Sequence, residues 1–472
     1  MKRERSPGLK LLFAALVGAA LIIPLIMVYA LVSDRQHQAR IAQNSIVAGW
    51  AGAQVIAGPV MVIPYTAERI SNEEIDGRTV TRRVETREML FISADTQRFD
   101  TVINPDIKTR GKIYQSVIYD IGMEGLARFK MPADLDRYGV TQEQLLLDEA
   151  EIRFPISDPR GLQTDAQLIV DGAPIELRPG MGTGSSDSGI HAFFDWSSAE
   201  DVELEFSYTL RGSSTVSMAP SGNETNWNVR SDWPHPSFSG GFLPTEDTVE
   251  IADAGFEASW SISNLALGQS LVSKGMRQLP IDDQSGGYSD YVGESSATES
   301  PMATIRLVEP VDLYSRVDRS VKYGFLFIGF TFLAFLMFDI VGGARVSAAE
   351  YLLSGVGLVL FFVMLLAFSE LVGFAIAYLI ASAAIIGLIT AYSAAVLGSW
   401  RRAVVIGGML IGLYALLYVL LNLEAWSLMI GSILLFVALA GVMYATRQID
   451  WSNVNNSDDE EPEPPVEEAA RT

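Results

Sequence analysis

Apolar residues are arranged along this chain in two distinct patterns. The first is the long unbroken run. Leu11 to Val32 contains no charged residue. After Lys322 five more runs follow: Tyr323–Val341, Tyr351–Phe368, Phe374–Leu397, Ala403–Leu421 and Trp426–Thr446. A bilayer core of about 30 Å needs about 20 apolar helical residues, and these runs meet that length. Phe361, Leu365, Leu366 and their neighbours leave no polar face, so the runs are not amphipathic soluble helices. Six spans are expected. The first has a basic front end and a loose cleavage-site likeness at Val28-Tyr29-Ala30. Its apolar stretch exceeds the 7–15 residues typical of a signal peptide, so an uncleaved anchor is expected.

The second pattern has period two. Val202, Leu204, Phe206, Tyr208 and Leu210 alternate with Glu203, Glu205, Ser207 and Thr209, the signature of a strand with one wet face. Ala303, Ile305 and Leu307 alternate likewise, and Met89–Ile92, Lys112–Tyr119, Gln167–Val170 and Phe256–Ile262 read the same way. Asp171-Gly172 is a hairpin signal. Span one should continue as a helix from Asp34 to about Ala53, with Gly58-Pro59 ending it. Pro132–Leu147 can hold a short helix, while Met181–Gly189 and Asp282–Ser300 read as loops.

The expected fold is therefore a membrane protein with six transmembrane α-helices, one N-terminal and five C-terminal, plus a large extracytoplasmic β-rich domain. That domain is expected to be antiparallel and sandwich-like, in one lobe or two. The organisation read from the sequence is 1–10 cytoplasmic, 11–32 anchor, 33–320 periplasmic β-rich domain, 321–446 five-helix bundle and 447–472 disordered acidic tail. Small residues recur at four-residue spacing (Gly408 and Gly412, Ala383 and Gly387, Ala391 and Ala395), which suits close packing within the bundle.

Charge orients the chain. Lys2, Arg3, Arg5, Lys10, Arg345, Arg401, Arg402 and Arg447 all fall on the side of the termini. The opposite short loops carry only Glu370 and Glu424, so the termini are expected in the cytoplasm. Arg316, Arg319 and Lys322 oppose this from the outer side, but long translocated domains largely escape the rule. The net charge of −22 argues against a nucleic-acid partner.

Chemistry is sparse. With no cysteine, thiol catalysis, disulfides and Cys-ligated metals are excluded. Three histidines far apart in sequence (His37, His191, His235) leave little scope for a His-rich metal site. Walker A, Gly-x-Ser-x-Gly, His-Glu-x-x-His and Gly-x-Gly-x-x-Gly motifs are absent. No catalytic, cofactor or metal residues are nominated. One soluble segment stands out, Ser231-Asp-Trp-Pro-His-Pro-Ser-Phe-Ser-Gly-Gly-Phe-Leu-Pro244. Its prolines and glycine pair stiffen a loop presenting Trp233, His235, Phe238 and Phe242, either as a binding surface or as plugs for the end of the sandwich. Glu370 and Glu424 are further candidates as outer-face polar residues.

The same segment resembles the CreD family of bacterial inner-membrane proteins. The likeness continues in Gly58-Pro-Val-Met-Val-Ile-Pro64, Asp318-Arg-Ser-Val-Lys-Tyr323, Leu365-Leu-Ala-Phe-Ser-Glu370 and Thr446-Arg-Gln-Ile-Asp-Trp451. It covers roughly residues 10–452 and leaves out the acidic tail. The resemblance implies an association with cell-envelope integrity and tolerance to colicins, with expression tied to a two-component system. It brings no catalytic residue or cofactor. The leading expectation is a non-enzymatic envelope protein whose outer domain meets an envelope protein, cell-wall or lipid component. The alternatives are a transporter or lipid-handling bundle, with Glu370 and Glu424 as gates, and a hydrolase using carboxylates or His235.

Overall fold

The alternating stretch at 202–210 lies within a 13-residue strand whose Val202, Leu204, Phe206, Tyr208 and Leu210 are all buried. It belongs to a computed structural model that describes residues 7–75, 78–110, 114–183, 185, 188–198, 201–275, 301–308, 313–340, 346–422 and 427–447. The acidic tail, the 282–300 stretch and Glu424 lie outside the described residues. Two units are present, Ala39–Pro310 and Met1–Gln38 with Val311–Thr472.

The first unit is built from strands. In chain order these are β1 (Gln54–Ala57), β2 (Val60–Ile75), β3 (Arg78–Ser93), β4 (Thr96–Arg110), β5 (Tyr114–Lys130), β6 (Ala150–Pro155), β7 (Gln167–Val170), β8 (Ala173–Ile175) and β9 (Arg178–Pro179). They continue with β10 (Gly189–Phe194), β11 (Asp201–Ser213), β12 (Thr215–Ala219), β13 (Glu224–Ser231), β14 (Pro236–Gly240), β15 (Glu250–Ala252), β16 (Gly255–Ser263), β17 (Val272–Ser273) and β18 (Ala303–Leu307). They form an eight-stranded sheet (β15-β16-β13-β4-β5-β11-β7-β8), a six-stranded sheet (β17-β3-β2-β6-β10-β9) and a four-stranded sheet (β1-β12-β18-β14). One continuous apolar cluster draws on all three, including Phe99, Phe129, Phe154, Trp227 and Ile305. The unit is thus one β-rich body, not two lobes. Pairing is mostly antiparallel as expected, but β1 with β12 and β4 with β13 run parallel.

Local chemistry explains several joints. Asp171 and Gly172 both have positive φ, 47° and 79°, the conformation a type I′ turn requires, and they join β7 to β8 as the dipeptide suggests. Between β5 and β6, Pro132–Leu147 holds short 3-10 turns at Leu135–Tyr138 and Gln142–Gln144 rather than an α-helix. Segment 181–189 is only partly loop, because Gly189 already belongs to β10.

The second unit is helical. α1 (Pro7–Ala48) is followed after the β unit by α3 (Leu313–Lys322), α4 (Gly324–Ile340), α5 (Ala348–Val372), α6 (Phe374–Val396), α7 (Trp400–Asn422) and α8 (Ser427–Thr446); a one-turn helix, α2 (Asn264–Leu267), sits in the β unit. α1 is a single 42-residue helix, so anchor and continuation are one element. It ends at Ala48, before Gly49, rather than at Gly58-Pro59, because Gln54–Ala57 is drawn into the sheet beside β12. Span two also starts earlier than expected. The amphipathic α3 buries Tyr314, Val317 and Val321 and leads into α4, so the helical unit begins at Val311 rather than 321.

Among the described residues five helical stretches are long and apolar enough to cross a membrane: Leu11–Ala48, Leu313–Asp339, Ala348–Val372, Phe374–Val396 and Trp400–Asn422. That is one N-terminal and four C-terminal, against the six expected. α8 occupies the stretch of the sixth. The close approaches in the bundle also differ from the spacing argument. A Cβ at Gly408, Gly412 or Gly387 would meet nothing within 4 Å, whereas one at Gly407 would meet Thr390 and one at Gly355 would meet Leu21. Four-residue spacing marks a face, and the neighbour's side chains decide which face is packed.

Candidate functional site

The segment from Ser231 to Pro244 is not a free loop. Pro236–Gly240 forms the edge strand β14, paired to β18 from Pro236↔Leu307 to Gly240↔Ala303. Proline, which lacks a ladder donor, is tolerated at the first residue of an edge strand. Trp233 is half-buried and donates its indole N–H to the Val308 carbonyl at 3.1 Å. Phe238 meets Phe256 and Trp260 edge-on at 5.8 and 5.7 Å. The Phe242 carbonyl accepts the Trp260 indole N–H at 3.2 Å. All three rings pack against the core cluster, while His235 is exposed. Three of the four nominated side chains therefore serve packing, and the imidazole alone faces outward.

Glu370 lies at the end of α5, where its Oε1 accepts the Tyr314 hydroxyl at 3.2 Å. That bond ties α3 to α5. Asp339 is buried at the end of α4. No group of three or more His, Asp or Glu side chains suited to a metal is found among the described residues.

Two features escape a linear reading. The first is a buried ion pair on β6. Glu151 and Arg153 are 2% exposed each, and Arg153 donates Nε and Nη2 to Glu151 Oε2 at 2.9 and 2.7 Å. Arg153 Nη2 also donates to the Thr183 carbonyl at 3.0 Å, and the Thr183 N–H donates to Glu151 Oε1 at 3.2 Å. The pair is clamped under the turn at 180–183. Gly182 has φ +74°, and a Cβ there would stand 2.0 Å from Glu151 Oε2. His191, opposite Arg153 in the register, bonds the Gly180 carbonyl through Nδ1 at 2.9 Å. Glu151 and Arg153 are buried and bond each other and the turn, which marks the pair as structural.

The second is a cleft of about 570 Å³ where β5 ends and β11 begins. Lys130 and Asp201 are register partners on its rim. Asp136 and Gln142 come from the 3-10 turns between β5 and β6, and Trp196 and Ser197 from the segment after β10. The backbone N–H of Trp196 donates to the Leu147 carbonyl at 2.9 Å. Asp195 Oδ1 accepts the Ser197 N–H at 2.9 Å, and the bonds from Ser197 hold its carboxyl below the usual carboxylate range. Lys130 Nζ donates to Asp95 at 2.7 Å, and that bond raises its pKa and keeps it charged. The cleft thus sets charged and polar side chains beside Met131, Leu135 and Leu147. Its residues are scattered over about seventy positions and only half of them are apolar, so no periodicity announces them.

Comparison with known proteins gives a consistent result. The family described as Inner membrane protein CreD matches residues 6–452. The Inner membrane protein CreD of Escherichia coli (strain K12) is 30% identical over 448 residues, covering 93% of this chain and 92% of that protein. Among solved structures, a candidate nutrient binding protein from Legionella pneumophila aligns over 45% of this chain and 68% of its own at 11% identity and a TM-score of 0.23. A likeness that loose carries no argument.

Proposed function

The chain belongs to the CreD family of inner-membrane proteins, and from that premise we propose that it is a non-enzymatic component that maintains the cell envelope and confers tolerance to envelope-active agents such as colicins. It is a multi-pass inner-membrane protein with a large β-rich domain. The observation that carries the proposal is the size of that domain, which occupies Ala39–Pro310 as one body between the N-terminal helix and the rest of the helical unit. A bundle alone would need no such body, so the proposal gives the β unit the binding role and the helices the task of holding it at the membrane. In this reading α8 is the sixth span, both termini are cytoplasmic and the β unit faces the periplasm. The basic residues Lys10, Arg401, Arg402 and Arg447 support that orientation. Deleting the gene should alter survival in detergents or envelope-active toxins, and the intact gene should restore it. Unchanged survival across such agents, or turnover of a substrate by the purified protein that one carboxylate substitution abolishes, would overturn the proposal.

A further inference from the structure

The helical unit carries a line of cations where a span should be apolar. α3 opens the span Leu313–Asp339 and holds Arg316, Arg319 and Lys322. Residues three apart are neighbours on a helix surface. Tyr314, Val317, Ser320 and Val321 bury the other side of α3, which packs on α5 and α7. That packing fixes which side turns outward. Arg316 and Arg319 are half-buried there, and Lys322 is exposed.

Neighbouring helices give the depth of α3. Its first turn is level with the end of α5, because the Tyr314 hydroxyl donates to Glu370. It is also level with the start of α6, because Arg316 lies over the Phe374 ring at 5.6 Å. Gly324 follows its last turn, and a Cβ there would stand 2.8 Å from Leu25 Cδ1 and 3.1 Å from Phe362 Cε2. At about 1.5 Å per residue, Leu25 lies about 10 Å inside the apolar run that ends at Val32, and Phe362 about 12 Å below Glu370. So α3 descends from the rim of the bundle to about 10 Å inside it. Phe325, Leu371 and Ile376, nearby in the chain or at the same rim, are exposed and apolar, as a lipid-facing belt should be.

The charge of α3 is not cancelled within it. Lys322 Nζ pairs with Asp318 Oδ2 at 2.7 Å. Arg316 has no carboxylate partner among the described residues. Three cations against one acid leave α3 at +2. Orientation does not account for them, since Lys10, Arg401, Arg402 and Arg447 set it from the opposite side. Cations within a span are rare and mark a partner. Long basic side chains near a span's end turn their heads up towards the headgroup layer, which adds about 5–7 Å outside the hydrocarbon. Phosphate is the acceptor there, and guanidinium donors match its oxygens while an ammonium adds a point charge. A zwitterionic lipid brings its own cation beside the phosphate, which these three repel. An anionic lipid brings none.

We propose that the face of α3 bearing Arg316, Arg319 and Lys322 binds the phosphate of an anionic phospholipid in the leaflet at the Glu370 end of the bundle, the outer leaflet in the orientation given above. The site requires the membrane-spanning bundle and not the envelope role, so either can fail without the other.

The chain has no cysteine, so Phe325→Cys, three residues beyond Lys322 and exposed, takes a single bimane label. The full chain is reconstituted in phosphatidylcholine vesicles that contain a fixed fraction of chain-brominated phosphatidylglycerol or, in parallel, of chain-brominated phosphatidylcholine. Bromine quenches the label when the lipid beside α3 carries it. Phosphatidylglycerol should be preferred there by about fivefold or more, the usual worth of one cation at an anionic surface. Arg316→Gln and Lys322→Gln should each bring that preference at least halfway to parity. Arg316→Lys should keep most of it, and Arg401→Gln, at the opposite end of the bundle, should leave it unchanged. Raising salt to about 1 M, where the screening length falls to about 3 Å, should also weaken it. Equal quenching by the two lipids overturns the proposal. So does a preference that neither glutamine substitution lowers, which would place the anionic lipid elsewhere. Should a variant fail to reconstitute, the salt titration of the labelled chain decides, and a preference that survives about 1 M salt refutes the charge pairing. Relief of the quenching by inorganic phosphate at constant ionic strength would make this a site for soluble anions and refute the lipid.

Discussion

Replacing Arg153 by methionine tests how the six-stranded sheet is held. The substitution keeps most of the aliphatic bulk on β6 and removes the guanidinium. Glu151, 2% exposed, then keeps only the Thr183 N–H, at 3.2 Å, as a donor. A carboxylate stranded in that way costs about 3–5 kcal/mol. For a domain of this size each kcal/mol moves the midpoint by about 2–4 °C, so the β unit should melt roughly 6–20 °C lower. The double substitution Glu151→Leu with Arg153→Met removes both charges. Replacing a whole buried pair by apolar residues is often neutral or better, although here the Thr183 N–H and carbonyl also lose partners, at about 1 kcal/mol each. The double variant should therefore recover most of the loss. Thermal melting of the full chain, followed by tryptophan fluorescence, reads the effect, because Trp196, Trp227 and Trp260 are buried in this unit. An Arg153→Met variant that melts with the wild type, or a double variant less stable than the single one, would refute the account of the clamp.

Trp233→Ala should destabilise by about 3 kcal/mol, the lower end for emptying an aromatic site, since Trp233 is only half-buried. His235→Ala, on the exposed side of the same segment, should leave melting unchanged to within about 0.5 kcal/mol; any functional loss in that variant would mark the imidazole as a contact. Alkaline stability has a defined sign at Tyr65. Burial first, and then Glu88, which accepts its hydroxyl at 2.6 Å, push the phenol up to about 12. An unfolded phenol ionises near 10, so the native state holds its proton longer. This contribution is complete below pH 10 and lost as pH rises towards 12. Melting midpoints of Tyr65→Phe should accordingly fall less steeply than wild type across that window.

Sequence pattern and structure agree where one residue's surroundings are set by its neighbours in the chain. Five of the six expected spans read from run length, β11 from its alternation, and the β7–β8 turn from Asp171-Gly172, because each is a local requirement. The reading stops where distant segments decide. In Ala150–Pro155 the charged Glu151 and Arg153 alternate with Ile152 and Phe154, yet all six residues are buried. The turn at 180–183, thirty residues on, covers the charged pair. The aromatic segment at 231–244 reads as a stiff loop whose rings either bind a partner or plug the sandwich, because its prolines and glycines are conspicuous. Pairing with β18, some seventy residues later, turns it into an edge strand whose rings face the core. The cleft shows the reverse. Lys130, Asp136, Gln142, Trp196 and Asp201 are unremarkable one by one, and only the meeting of β5 and β11 places them around one space.

The central claim is that the β unit works outside the cytoplasmic membrane, and cysteine labelling tests it most directly. The chain has no cysteine, so a single introduced thiol reports alone. Asn223, in the β unit, and Trp400, at the start of α7, are both exposed. In cells with a permeabilised outer membrane and an intact inner one, a membrane-impermeant maleimide should label Asn223→Cys and spare Trp400→Cys until the inner membrane is broken. Protection of Asn223→Cys together with labelling of Trp400→Cys would invert the protein and contradict the account.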